Sequence, residues 1–141
     1  MRWFFDSSVL IPVFIEDHVH HDRSFAAFAA ANRRLAGCAA HSLAEVYAGV
    51  TRLPGKNRMS VDQALIVIEN ILEQLTVVSL ESNEYLQVIR RAAENGIVGG
   101  TIYDALIVSC ASKAEAETIY TWNDRHFRLL GPGIASRVAN P

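Results

Sequence analysis

Apolar residues in this chain fall into two kinds of run, and the two kinds alternate. The short kind is dense and ends abruptly. Trp3-Phe4-Phe5 stops at Asp6 and reads as a strand buried on both faces. Leu35 to Ala40 reads as a second buried strand, the β-branched Thr76 to Leu80 as a third and Thr118 to Thr121 as a fourth. The long kind is spaced for helices. Asp6-Ser7-Ser8 supplies capping residues ahead of a short helix over Val9–Ile15, and the alanines with Phe25 and Phe28 predict a helix from Val19 to Asn32. Ser42-Leu43-Ala44-Glu45 matches a capping box and opens a helix to about Arg52. After the loop at Pro54-Gly55-Lys56-Asn57, Ser60 caps a helix whose apolar face is Val61, Ala64, Leu65, Ile68, Leu72 and Leu75. Ser82 opens a helix that uses Leu86, Ile89 and Ala93 and stops at Asn95-Gly96. Beyond the Gly99-Gly100 loop, Thr101 to Ala116 is apolar on nearly every side and predicts a central, buried helix. Gly131-Pro132-Gly133 is a turn, followed by an edge strand over Ile134 to Val138.

Strands alternating with helices imply an α/β fold: a mainly parallel sheet of four to five strands between helical layers. In such sheets the ligand crevice lies beyond the carboxyl ends of the strands. The 141 residues are enough for one domain, spanning 1–141, and no repeat or linker divides them.

Composition narrows the functional classes. A net charge of −2 argues against nucleic-acid binding through bulk positive charge, so any such affinity has to come from local arginines and a bound cation. No apolar run approaches the roughly 20 residues of a membrane helix, and the N-terminus lacks a small-residue cleavage site, so neither a membrane span nor a secretory leader is expected. Cys38 and Cys110 lie far apart in apolar surroundings and read as buried reduced thiols, which suits the cytoplasm.

The chemistry lies in the acids. Asp6 ends the first strand, Glu45 and Asp104 each sit in the first turn of a helix, and Asp124 follows the fourth strand beside Asn123. Asp6 and Asp104 also suit helix caps or first turns, and Glu45 suits the second half of its capping box. Four acids at strand-to-helix junctions are harder to explain that way. Converging carboxylates raise one another's pKa values, and a divalent cation removes the penalty. Oxygen donors without matched cysteines or histidines favour magnesium or manganese over zinc.

Four segments carry a family resemblance: FFDSSVLIPVF, HSLAEVYAGV around Glu45, GGTIYDALIVSCA around Asp104, and IYTWNDRHF. In their order and spacing the chain resembles a PIN domain, and within that superfamily the VapC ribonuclease toxins of bacterial toxin–antitoxin pairs. The resemblance implies a parallel sheet flanked by helices and metal-dependent cleavage of RNA phosphodiester bonds. It makes Asp6, Glu45 and Asp104 the acidic core, with magnesium as cofactor, and Ser7 and Thr101 supporting residues. It also implies a cognate antitoxin, whose C-terminal arm would place a basic side chain among the carboxylates, and a homodimer. In the last segment Asn123 matches the family's Thr-x-Asn position, while His126 stands where many relatives have an acid, leaving Asn123 and Asp124 as alternatives for the fourth site position.

Other features weigh less. His18, His20 and His21 lack the i, i+4 spacing of a helical zinc site and read as solvated residues at a helix start. Gly96 to Gly100 is not followed by the Lys-Ser/Thr of a phosphate loop. Arg52, Lys56 and Arg58, with Arg125 near the site, are candidate RNA-phosphate contacts. Ile66, Val67 and Ile71 widen the apolar stripe of their helix, which suits a second copy or an antitoxin. Two other functions compete: a PIN nuclease of RNA processing outside a toxin system, and a metal-dependent phosphatase of small metabolites. The second calls for Asp-x-Asp after the first strand, where this chain has Asp6-Ser7-Ser8.

Overall fold

A computed structural model describes residues 1–141. Five strands, β1 (Trp3–Phe5), β2 (Ala36–Ala39), β3 (Thr76–Val78), β4 (Thr118–Tyr120) and β5 (Val138–Ala139), form one sheet in the order β3-β2-β1-β4-β5. Every neighbouring pair is parallel, with Phe4 opposite Gly37 on one side and Ile119 on the other. Successive strand residues point to opposite faces, and here both faces are apolar. Phe4 and Phe5 are each fully buried, but in different cores. Phe5, Cys38 and Ala36 pack with the first four helices: α1 (Ser7–Val13), α2 (His21–Ala29), α3 (Ala40–Thr51) and α4 (Val61–Gln74). Phe4, Ala39, Ile119 and Val138 pack with α6 (Thr101–Lys113) and α7 (Asp124–Arg128). The result is the expected three-layer α/β/α sandwich. Helix α5 (Ser82–Glu94) lies against α6, and α8 (Pro132–Ala135) is a single turn before β5.

Local chemistry explains most boundaries. Ser60 and Gln63 form a reciprocal capping box at the start of α4, with bonds of 3.1 and 2.9 Å. Gly37 is required in mid-strand, because a Cβ there would stand 2.7 Å from the Thr76 carbonyl oxygen. Gly96 takes φ +68° just past α5, which suits a residue without a Cβ.

Several elements differ from the sequence expectation. The capping box at Ser42 does not form. Strand β2 runs straight into α3 at Ala40, two residues earlier, and the Ser42 hydroxyl is buried without a partner. Asp6 holds the cap position of α1 but makes no capping bond, since its carboxylate turns toward β4 instead. The predicted edge strand over Ile134–Val138 is mostly the turn α8, with Pro132 preset for its first position, and only Val138–Ala139 pairs with β4. Helix α2 is shorter than Val19–Asn32, because Asn32 turns back to accept from the Arg34 and Leu35 amides. Helix α6 ends at Lys113, before Glu115 adopts φ 52°. It is buried over Leu106–Val108 and at Cys110 and Ala111, but its first turn is partly open. In α4 the inward residues are Ala64, Val67, Ile71 and, beyond the helix, Leu75, whereas Val61, Leu65 and Leu72 face outward. A helix apolar on two sides gives no unique phase to its period.

Both cysteines are free and buried, and burial pushes their thiols up, to about 12 for Cys38 and about 11 for Cys110. Since the thiolate is the reactive form, native protein at pH 8 is expected to react slowly with Ellman's reagent and to release two thiols promptly in guanidinium. Fast native labelling of either contradicts the packing.

Candidate active site

The sequence acids converge where the topology predicts. Strand β1 is the central strand: the chain runs outward from it through β2 and β3 on one side, then crosses over to β4 and β5 on the other, and this reversal makes the carboxyl end of β1 the crevice of the sheet. Asp6 is the first residue past β1 and is only 2% exposed. Its Oδ2 accepts hydrogen bonds from Thr121 Oγ1 at 2.8 Å and Ser8 Oγ at 2.6 Å. Ser7 Oγ lies 3.4 Å from Oδ1. Thr121 is fully buried just past β4, and its hydroxyl also accepts from the Asn123 amide at 3.0 Å. The Ser8 hydroxyl accepts from the Trp122 amide at 2.9 Å. A carboxylate from one end of the chain is therefore clamped by hydroxyls from both ends.

Glu45, on α3, and Asp104, on the first turn of α6, face this carboxylate. Glu45 is pushed up to about 7, by burial first and then by the charges of Asp6 and Asp104, with the Ser7 hydroxyl drawing it partly back. Its Oε1 is buried without a hydrogen-bond partner. Asp104 is pushed up to about 6 by burial and by Asp6, against a smaller opposite pull from His126. Two histidines border the cluster: His41 Nε2 is 3.8 Å from Glu45 Oε1, and His126 Nδ1 is 3.9 Å from Asp104 Oδ2.

The other sequence candidates stand apart. Asp124 opens α7 and pairs with Arg128 at 3.5 Å, and it is absent from the charges that raise Glu45 and Asp104. Asn123 joins the network through its backbone amide, and the Thr101 hydroxyl makes no hydrogen bond. Lys56 pairs with Asp17 at 3.4 Å, and Arg58 donates to the Leu53 carbonyl. Arg52 and Arg125 have no side-chain partner. His20 and His21 are more than solvated residues. His20 stacks on Trp122 at 3.8 Å between centroids, and His21 Nδ1 lies 2.8 Å from the Pro12 carbonyl oxygen. Ser8 reads from the sequence only as a helix-capping residue and Thr121 only as the threonine of the Thr-x-Asn match, so neither stands among the site candidates. The signal was their position beside Asp6 at neighbouring strand ends.

No three His, Cys, Asp or Glu side chains close on one point as a finished metal cage. The donors are nevertheless of the kind magnesium uses, carboxylate oxygens that leave room for several waters. The partnerless Glu45 oxygen and the mutual repulsion of three acids are what a cation would relieve. The residues fit a hydrated ion better than a caged one. A cleft of about 340 Å³ between α5, α6 and α8 is lined by none of these three acids.

The raised pKa values predict how metal-free protein responds to pH. A carboxyl raised on folding contributes stability that is complete below its unfolded value, near 4.5 for Glu45, and lost as pH rises through about 7. In EDTA, the melting temperature of wild type relative to Glu45→Gln is expected to fall between pH 4.5 and 8. A constant difference across that window contradicts the assigned environment.

The PIN-domain family model matches residues 3–131. The chain belongs to the PIN-domain family. Among curated relatives, this PIN domain is 35% identical to Ribonuclease VapC27 of Mycobacterium tuberculosis, over 79% of this chain and 78% of the relative. It is 32% identical to Ribonuclease VapC40 of the same species, over 81% of each chain. These matches place it with the VapC-type PIN domains. Solved structures share the fold at low identity. Mycobacterium tuberculosis VapC20, described as a toxin cleaving the sarcin-ricin loop, superposes with a TM-score of 0.75 at 14% identity over 99% of both chains. VapBC of Salmonella typhimurium bound to DNA gives 0.68 at 21% identity, covering 99% of this PIN domain and 98% of that chain.

Proposed function

We propose that this PIN domain is a magnesium-dependent endoribonuclease and the toxin of a toxin–antitoxin pair. The observation that carries the reading is the convergence of Asp6, Glu45 and Asp104, distant in sequence, on one partly buried pocket, where burial first and their mutual charge second push Glu45 up to about 7 and Asp104 up to about 6. Acids that destabilise one another in a shared pocket suit a positive charge that offsets them. Relatives named as ribonucleases supply the substrate class.

In this reading Asp6, Glu45 and Asp104 hold the ion, and Asn123 or Asp124 supports it from the end of β4. When bound, magnesium supplies Lewis-acid charge at the scissile phosphate and makes a water acidic enough to attack it. Asp6 is kept in one orientation by the Thr121 and Ser8 hydroxyls, so it enters the site pre-organised. No serine or histidine nucleophile is required. Arg52 and Arg125, unpaired in the structure, are the better placed of the candidate phosphate contacts, each adding to the salt sensitivity of binding.

The test is cleavage of RNA by protein stripped with EDTA and then restored with magnesium. Activity that returns with the ion supports the reading, and metal-independent cleavage removes the mechanism.

The partner is proposed to be an antitoxin that covers the outward stripe of α4, where Val61, Leu65, Ile66 and Leu72 are 41–62% exposed. A second copy of the chain competes for the same stripe, and sedimentation of the toxin alone reads that alternative. Co-expression with the short reading frame upstream is expected to give a co-purifying pair, and a clean failure to co-purify counts against the toxin assignment. No helix is long and apolar enough to cross a membrane. The two buried thiols suit the reducing cytoplasm as the place of action.

A further inference from the structure

Two aromatic stacks border the carboxylates, and they differ in what they leave open. His20 on Trp122 is a closed stack. Trp122 packs against the core, and its indole N–H donates to the buried Ser24 hydroxyl at 2.9 Å. The second stack is open. Tyr103 lies nearly parallel to His41, with centroids 4.9 Å apart and 15° between planes, yet the tyrosine is 48% exposed. It belongs to neither hydrophobic core, and its hydroxyl has no hydrogen-bond partner. Packing therefore does not account for an aromatic side chain here, although its location in the site is well defined. Tyr103 immediately precedes Asp104, while His41 stands one helical turn before Glu45 with Nε2 3.8 Å from that carboxylate. The stacked pair thus joins α3 to α6 at the rim of the acid cluster.

Resting on the ribonuclease reading above, we propose that the stacked pair Tyr103 and His41 is the platform for an unpaired nucleobase next to the scissile phosphate, so the substrate is RNA whose cut site is single-stranded. A ring that is backed on one side and half open to solvent presents a flat π surface. Any of the four bases can cover that surface once it is free of its own stack. A base in a duplex cannot. The platform thus admits loops and ends without reading their sequence, and it places the neighbouring backbone beside Asp104 and Glu45. His41 backs the tyrosine and restricts its tilt, and its role here needs no change of charge.

The test starts with RNA purified from bacterial cells. Its wild-type cut site is mapped by end sequencing, then rebuilt as a synthetic stem-loop with the site unpaired, as the same sequence annealed to its complement, and as versions with an abasic ribose on either side of the cut. Tyr103→Ala is expected to lower kcat/KM on the stem-loop about 5- to 100-fold, mainly through KM, with an unchanged melting temperature. Tyr103→Phe is expected to restore it, since the ring and not the hydroxyl makes the stack. One abasic substitution is expected to cost wild type as much as Tyr103→Ala costs on intact RNA, and to cost the Tyr103→Ala variant nothing further. The annealed duplex is expected to resist cleavage. Wild type that cuts no cellular RNA overturns the nuclease reading and the platform with it. Wild type that cuts while Tyr103→Ala stays within twofold, or losses that multiply between variant and abasic substrate, overturn the platform alone.

Discussion

Asp6→Asn is expected to lower RNA cleavage by about 100-fold or more while leaving the protein folded. The activity loss follows from charge. Asparagine keeps the shape and can still accept a hydrogen bond from Thr121 or Ser8, but it contributes no negative charge toward a cation. Losing about 3 kcal/mol of metal-centred stabilisation corresponds to roughly that factor. Stability moves the other way. Asp6 is a source of the repulsion that raises both Glu45 and Asp104, so removing its charge in metal-free protein is expected to hold or raise the melting temperature. Asp104→Asn is expected to behave alike. Cleavage assays after EDTA treatment and magnesium restoration, paired with thermal melts, measure both effects. Retained activity in either variant ends the mechanism, and a collapsed melt in Asp6→Asn would show that the hydroxyl clamp is structural.

One residue earlier the balance reverses. Phe5→Ala is expected to destabilise the protein by about 3–5 kcal/mol, as buried phenylalanines do when truncated. Phe5 is fully buried and meets Tyr120 and Phe28 edge-on, at 5.6 and 6.4 Å between centroids. The cavity would open between β1, β4 and α2, beneath Asp6. Against a total stability of about 5–15 kcal/mol, this is a large fraction, and a melting temperature lowered by about 10 °C or more is the expected readout. A drop below about 3 °C would mean that the neighbours collapse into the gap. Adjacent residues are thus predicted to fail in opposite ways, one inactive but stable, the other unstable with its acids intact.

The contrast shows what a sequence can disclose. Strand positions and the acid core were legible because each is written locally. Phe4-Phe5 followed by Asp6 marks a buried strand that ends at a charge, and Asp104 interrupts an apolar stretch. The capping box at Ser60 was legible for the same reason, since both partners lie within one turn. The Ser42–Glu45 pair has an equivalent pattern and does not form one, because β2 passes into α3 without a break and carries Ser42 into the interior. Tertiary packing decided between two identical local signals. The inward face of α4 was likewise undetermined, since residues on both sides of the helix are apolar. The Thr121 arm of the hydroxyl clamp on Asp6 spans 115 residues of sequence and has no local trace. The same holds for the stack of Tyr103 on His41. The 3.5 Å pairing of Asp124 with Arg128 one turn later is a local i, i+4 contact on α7.

The strand order carries a consequence for how this protein is made. Strand β1 is made before the other four strands and is the centre of the sheet, while one of its two neighbours, β4, is made only after β2 and β3. A nascent chain that has not yet reached Thr121 has Asp6 without the Thr121 arm of its clamp and β1 without its β4 neighbour. The carboxylate is therefore fixed only after synthesis has passed Thr121 and β4 has paired with β1, so the acid cluster is completed by a strand made long after the residue it holds.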